Sequence, residues 1–242
     1  MSAFTSQLRT EVALASRQGE QLLVSLGIPL LVLVFFSLVD VVEVADVEQA
    51  VDYVAPATLA LAVMSTAMVS LGIGTGFERQ YGVLKRLGAS PLGTRRLVGA
   101  KTALVVLTEV SQFVVLISVA VLIGWRPPTA GWVPALAGAA LGTLAFAGIG
   151  LLLAGTLPGL GTLAAANGLY LVLLLTGGMI VPLDRLPSAV AAVAGLLPAA
   201  ALVEVMTGSF IAGRTVGAQA WIVLAFWAVA APAAAIRWFR WE

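Results

Sequence analysis

Six apolar runs, each about as long as a membrane-spanning helix, dominate the sequence. A helix needs about 20 mostly apolar residues to cross a bilayer. The chain is 60% hydrophobic and 10% charged, whereas a soluble domain carries about 25% charged residues. We therefore predict an all-α integral membrane protein with six transmembrane helices, forming a single domain over residues 1–242. The predicted spans are Leu22–Val39, Val54–Ile73, Val98–Ile123, Val133–Leu157, Thr162–Val181 and Ala218–Ile236.

Basic residues predict the orientation of these spans. Lys and Arg accumulate in the cytoplasmic segments of multi-pass proteins. Of the 13 Lys and Arg residues, ten lie before span one, between span two and the first turn of span three, or after span six. The loop after span one, residues 40–52, carries five acidic residues and no basic one. The pattern predicts cytoplasmic N- and C-termini, and it places Trp125 and Trp132 at the outer membrane interface.

Residues 1–20 have the pattern of a surface helix. Phe4, Leu8, Val12 and Ala15 recur at helical spacing, with charged residues between them. Such a pattern is typical of an amphipathic helix that lies on the membrane surface. The alternative is a frayed polar tail.

Missing residue types exclude several chemistries. The chain contains no Cys and no His, so it lacks thiolate ligands, a thiol nucleophile and the commonest general base. No G-x-x-x-x-G-K-[ST] phosphate-binding loop occurs. We expect a chain that is not an enzyme, holds no cofactor or metal of its own and has no nucleic-acid partner.

The most polar stretch, "FERQYGVLKRLGASP", follows span two. Its apolar positions recur at helical offsets of four, three and four, and Gly88 is a plausible helix end. Ser90 and Pro91 then have the pattern of an N-cap and a first helical position. We predict one short amphipathic helix and a helical elbow leading into span three. The positions on the apolar face are Phe77, Tyr81, Leu84 and Gly88.

Two interpretations of this stretch compete. Its charges anchor an interfacial helix on anionic headgroups, or they form a docking surface for a soluble partner. The charged residues are Glu78, Arg79, Lys85 and Arg86.

The spacing of these charges resembles a motif in the membrane subunits of ABC-2 type exporters. In that family Glu-Arg-x-x-Gly-x-x-Lys-Arg follows the second span, and a small-Ser/Thr-Pro turn comes after it. The resemblance implies that residues 77–91 form the coupling helix that seats in a cleft of an ATPase subunit. The implied ATPase-coupling residues are Phe77, Glu78, Arg79, Tyr81, Gly82, Lys85, Arg86, Ser90 and Pro91.

The resemblance also implies the partners and the activity. Two ATPase subunits, which bind ATP and Mg, act on two membrane subunits, the second being another copy of this chain or a paralogue. The small size resembles bacterial drug- or lipid-efflux permeases in the plasma membrane. Such a subunit exports a hydrophobic or amphipathic substrate from the cytoplasm or the inner leaflet.

A second match to the family follows span five. The sequence "GGMIVPLDRLPSAVAAVAGLLP" shares the family's proline spacing, although Leu197 stands where the family commonly has Asn. We predict that span five breaks at its glycine pair. Within an extracytoplasmic segment at residues 182–214, Pro187–Pro198 would then form a short helix or a helical hairpin that re-enters the membrane or caps its outer face, and we expect it to act as an outer gate. The predicted gate residues are Gly177, Gly178, Pro182, Pro187 and Pro198.

Three polar residues inside predicted spans are candidates for the translocation path or a dimer seam: Glu109, Gln112 and Asn167. A carboxylate at the membrane centre costs about 2.5–3.5 kcal/mol on insertion scales, which makes Glu109 a functional candidate. The alternatives are that Glu109 packs against Gln112 and that Asn167 makes an interhelical hydrogen bond.

Other functional classes stay open at this stage. A secondary transporter or channel is one alternative, although such proteins usually show several ionisable residues along a path. A non-transporting membrane scaffold for a cytoplasmic partner is another.

Overall fold

The computed structural model describes residues 19–39, 47, 49–88 and 93–240, which form helices and turns without a strand. The predicted surface helix at residues 1–20 therefore lies almost entirely outside the described residues. The helices, numbered in chain order, are α1 (Gly19–Leu38), α2 (Ala50–Gln80), α3 (Val83–Gly88), α4 (Gly93–Ile123), α5 (Trp132–Thr156), α6 (Gly159–Thr176), α7 (Ser188–Ala194), α8 (Pro198–Phe210) and α9 (Ala218–Trp238).

Five helices in the described part of the chain are long and apolar enough to cross a membrane: α2, α4, α5, α6 and α9. The bent pair α7–α8 raises the number to six if it is counted as one span. Predicted span one falls on α1, whose apolar stretch Ser25–Leu38 is shorter than the others. The all-α, multi-pass prediction is confirmed, and helix α2 extends well past the predicted bounds of span two.

Helix α2 is the centre of the bundle. It packs against α1, α4, α5, α6 and α8, and 83% of its apolar window is buried, against 22% for α4. Six of its residues, Ser65–Ser70, form a π-helical segment in mid-span. The chain can place α2 there because most of the residues that contact its neighbours are small, which lets helices approach closely in lipid.

Glycines set the closest helix crossing. A Cβ on Gly150 of α5 would lie 2.6 Å from the Met68 carbonyl oxygen, in the π segment of α2. A Cβ on Gly72 would lie 3.0 Å from the Gly150 carbonyl oxygen. The two backbones therefore touch directly. Gly148 brings α5 equally close to α9, at Pro232.

The two ends of the bundle differ in character. One end collects the last turns of α2, α5 and α9 and the first turns of α4 and α6, and we call it the motif end because Phe77–Gly88 lies there. The other end carries α7 and α8, and we call it the hairpin end. There Tyr53, in the first turn of α2, contacts Gly178, just after α6.

The segment after α6 forms the expected break and hairpin. Helix α6 ends at Thr176, and Gly178 takes a left-handed φ of 79° that favours glycine. Helices α7 and α8 then meet at a bend of 88°. Helix α8 inserts between α2, α5 and α9, and two of its side chains, Leu202 and Val205, fill the space above Gly142 and Gly138 of α5.

Trp125 is buried by two other aromatic rings, and its predicted depth at the outer membrane interface stays a prediction. Its side chain is 2% exposed and packs edge-on against Trp132 and Phe210, with ring centroids 6.4 and 5.3 Å away. Because Phe210 is the last residue of α8, these ring contacts join the hairpin to the segment between α4 and α5.

The close crossing predicts opposite effects for two Gly→Ala substitutions. Gly150→Ala must push α5 away from the Met68 carbonyl and should destabilise the protein by about 1–3 kcal/mol. Gly74→Ala in α2 meets nothing within 4 Å, so it should leave stability unchanged or raise it by up to about 1 kcal/mol through helix propensity. Thermal unfolding in detergent measures both, and equal melting temperatures for the two variants would contradict the crossing.

Candidate functional site

The polar segment forms two helices joined by a turn, so the prediction of one continuous amphipathic helix is wrong. Helix α2 runs to Gln80, and Gly82 then takes a φ of 67° before α3 begins at Val83. Glycine adopts this left-handed conformation without strain and commonly ends helices. The apolar spacing continues across the turn, and for that reason helical periodicity did not reveal the break. Gly88 is the last described residue of this segment, and Ser90 and Pro91 lie outside the described residues, so the predicted helix end and elbow stay predictions.

Glu78 faces the bundle. Its two carboxylate oxygens each lie 2.7 Å from Lys101 Nζ, and both side chains are largely buried. Lys101 belongs to the first part of α4, so this ion pair joins the end of α2 to α4. The ion pair thereby holds the two ends of the segment 78–101 together.

Arg79 also faces the bundle, on a different side. Its Nη1 donates to the Gly155 carbonyl at 2.5 Å, and its Nη2 donates to the Leu157 carbonyl at 2.6 Å. These carbonyls lie at the C-terminal end of α5, where backbone acceptors lack helical partners and a cation is favoured. Nη1 also lies 3.3 Å from the Arg240 carbonyl oxygen, just after α9.

The second half of the motif faces outward. Lys85 and Arg86 are exposed on α3, and Tyr81 is 65% exposed. Phe77 stacks on Tyr81 with ring centroids 6.2 Å apart. Leu84 is 2% exposed and attaches α3 to the bundle. The motif is therefore divided at Gly82 into an inward part, Glu78 and Arg79, and an exposed outward part.

Glu109 and Gln112 lie inside the subunit and do not bond to each other. Glu109 Oε2 accepts a hydrogen bond from Thr143 of α5 at 2.8 Å. Gln112 Oε1 accepts from Thr66 of α2 at 2.8 Å, and its Nε2 donates to the Ser25 carbonyl of α1 at 3.2 Å. Both residues join α4 to neighbouring helices. Within the described residues, no group of acidic side chains is placed to hold a metal ion.

Asn167 lies on the exposed face of α6, which points away from the rest of the subunit. Its Nδ2 donates to the Leu163 carbonyl of the same helix at 2.9 Å, and its side chain is exposed. The expected interhelical hydrogen bond is therefore not made within the described part of the subunit. Ala164 and Gly168 are exposed on the same face.

The predicted gate residues surround the hairpin. Gly177 and Gly178 end α6, Pro182 precedes a 3₁₀ turn at Leu183–Arg185, and Pro187 precedes α7. Pro198 is the first residue of α8, a position where proline is favoured.

One contact of this region was not predicted from the sequence. The Tyr53 hydroxyl donates to the Gly178 carbonyl at 2.6 Å, and Tyr53 is 3% exposed. The bond joins residues 125 positions apart. A tyrosine in an apolar run was the available indication, because a buried tyrosine hydroxyl usually finds a partner.

Comparison with known families identifies the class of protein. A family model described as ABC-2 type transporter matches residues 2–211. The chain has no significant match among curated proteins or solved structures. The chain belongs to the ABC-2 type transporter family and is a multi-pass permease subunit of that family. Permeases of this family are generally non-catalytic and work with ATPase subunits.

Two tyrosines allow a matched test of the contact at the break. Tyr53→Phe removes the donor to Gly178 and should destabilise the protein by about 1–2 kcal/mol, since a buried carbonyl loses its partner. Tyr170 is equally buried, but its hydroxyl has no hydrogen-bond partner among the described residues. Tyr170→Phe should therefore be neutral or stabilising. Thermal unfolding in detergent compares the two, and a larger loss for Tyr170→Phe would contradict this geometry.

Proposed function

We propose that the chain is the membrane subunit of an ATP-driven exporter for a hydrophobic or amphipathic, drug-like or lipid-like substrate. The substrate would leave the cytoplasm or the inner leaflet. Family membership supports the transporter class. One observation carries the proposal further: α3 exposes Lys85 and Arg86 at the motif end, while Leu84 holds this short helix on the bundle.

The ATPase that drives this exporter is a separate chain. The sequence has no phosphate-binding loop, so ATP and Mg are bound by the partner ATPase. Two ATPase subunits act on two permeases, the second being another copy or a paralogue. ATP binding draws the ATPases together, and their movement displaces α3.

The surface that meets the ATPase is the outward half of the motif. Lys85 and Arg86 supply two positive charges, and the exposed Tyr81 ring adds an aromatic contact beside them. Such a surface fits a cleft lined by acidic and apolar side chains, since opposite charges guide association and set the register. Glu78 and Arg79 lie behind this surface and do not belong to it.

The motif end is the cytoplasmic end in this proposal. The excess of Lys and Arg in the segments at that end supports this orientation. The chain would then lie in a bacterial plasma membrane with both termini in the cytoplasm, and the hairpin would lie on the outer side. Helices α7 and α8, with Gly177, Gly178, Pro182, Pro187 and Pro198 at their bends, form the outer gate.

The second permease covers the Asn167 face of α6. An exposed amide is costly in lipid, because hydrocarbon offers no hydrogen-bond partner. The neighbouring Ala164 and Gly168 allow another helix to approach this face closely. We therefore assign Asn167 to the dimer seam or the translocation path. Glu109 and Gln112, by contrast, are buried within one subunit.

A charge-removal experiment tests the docking surface. The double variant Lys85→Ala/Arg86→Ala should bind the ATPase about tenfold more weakly, on the order of 1.4 kcal/mol, because two exposed cations lose their acidic partners. Tagged protein is purified from native membranes, and the co-purifying P-loop ATPase is quantified by mass spectrometry. Arg126→Ala/Arg214→Ala removes the same charge at the hairpin end and should leave ATPase binding unchanged.

Two outcomes of that experiment would contradict the proposal. Equal ATPase recovery in both double variants would show that α3 is not the docking surface. Absence of any P-loop ATPase from the wild-type preparation would favour a lipid anchor or a scaffold.

Cysteine cross-linking tests the seam, since the chain contains no Cys. If the second permease is another copy of this chain, Asn167→Cys should form a disulfide-linked dimer in native membranes upon mild oxidation, because the two copies of α6 face each other. Ile222→Cys is the matched control, since Ile222 is 68% exposed on α9 and should stay monomeric on denaturing gels. Dimers from Ile222→Cys alone would place the seam elsewhere.

A further inference from the structure

At the C-terminal end of α5, one backbone carbonyl accepts hydrogen bonds from two other parts of the chain. Gly155 O accepts from Arg79 Nη1 at 2.5 Å and from the Arg240 backbone N–H at 3.1 Å. The Arg240 carbonyl in turn lies 3.3 Å from Arg79 Nη1. The Arg79 guanidinium therefore contacts the segments that follow both α5 and α9.

Gly155 allows the segment after α9 to contact the end of α5 and Arg79. A Cβ at position 155 would lie 2.5 Å from the Phe239 ring and 2.9 Å from the Phe239 Cα. Only a residue without a side chain lets the segment after α9 lie directly on the end of α5. Arg240 thereby reaches both Gly155 and Arg79.

The chemistry of arginine suits this position better than lysine would. The planar guanidinium donates in two directions at once, and here it bonds to the carbonyls of Gly155 and Leu157. Charge-assisted hydrogen bonds in a partly buried site are stronger than neutral ones. The pair of bonds in a fixed fork geometry sets the orientation of the end of α2 relative to α5, which a rotating ammonium group would define less well.

Glu78 and Arg79 therefore connect α2 to opposite neighbours. Glu78 binds Lys101 of α4, and Arg79 binds the ends of α5 and α9. Helix α3 begins four residues after Arg79, across the turn at Gly82. A displacement of α3 thus reaches these neighbours through two adjacent side chains.

We propose that Arg79 is a positioning residue that transmits the displacement of α3 to α5 and α9, and that it makes no contact with the ATPase. The inference rests on the proposed function, because it requires an ATPase that moves α3. It differs from the docking role that the motif alone implied for Arg79. The inward bonds of Arg79 are the observation that carries it.

Spin-label distances test the inference without a known substrate. Thr102→Cys on α4 and Ile236→Cys on α9 are both exposed positions, and the chain has no other Cys. The permease–ATPase complex is reconstituted in lipid nanodiscs, and the distance between the labels is measured by pulsed electron paramagnetic resonance, with and without ATP and vanadate. We expect a nucleotide-dependent shift in the parent protein and its loss in Arg79→Ala, while ATPase binding is unchanged.

Two further variants make the result specific. Arg237→Ala removes a positive charge from the same end, where Arg237 is exposed, and should keep the shift. Arg79→Lys keeps the charge but replaces the rigid planar fork with a rotating ammonium group on a flexible stem, so it should reduce the shift. If Arg79→Ala does not fold, the Lys variant carries the test.

The failures of the two proposals are distinguishable. A full shift in Arg79→Ala or Arg79→Lys, with ATPase bound, would overturn the positioning role alone. Loss of ATPase binding in Arg79→Lys, with a normal melting temperature, would instead make Arg79 a docking residue and also overturn the inference. A parent protein that binds no ATPase would overturn the proposed function and this inference together.

Discussion

The direct backbone contact between α2 and α5 is the constraint on which the rest of the bundle depends. Lipid is as apolar as the helix surfaces, so helices associate through close packing and interhelical hydrogen bonds. Gly72 and Gly150 bring α2 and α5 together, and Gly148 brings α9 to the opposite side of α5. Once these three helices are fixed, α8 can lie on α5 above Gly138 and Gly142. The central position of α2 follows from this arrangement.

A small set of polar contacts then fixes the neighbours of α4. This helix is mostly exposed, so apolar burial does little to define its rotation. Gln112 joins it to α1 and α2, Glu109 joins it to Thr143 of α5, and Lys101 joins it to Glu78. Each contact places a polar group of α4 opposite a partner. Polar residues that are costly in lipid thereby select one orientation of the helix.

The motif end combines a fixed part and an outward part within a few residues. Arg79 bonds to the ends of two helices, whereas Lys85 and Arg86 lie beyond the turn at Gly82 and face outward. The proposed coupling to an ATPase requires both properties of this surface. It must be accessible, and it must be held to the elements that are to move. The glycine allows both because its left-handed φ turns α3 away from the axis of α2.

The sequence by itself determined the apolar, helical nature of the long segments and the break after α6. These features depend on local composition, on proline and on glycine, which act within a few residues. Only the tertiary structure decided that Glu78 and Arg79 face inward, that Tyr53 contacts Gly178 and that Trp125 is buried. Helical spacing shows which residues share a face, but neighbouring positions differ by about 100°. Which helix each face meets depends on the packing of the whole bundle, and for that reason the partners of these side chains could not be predicted.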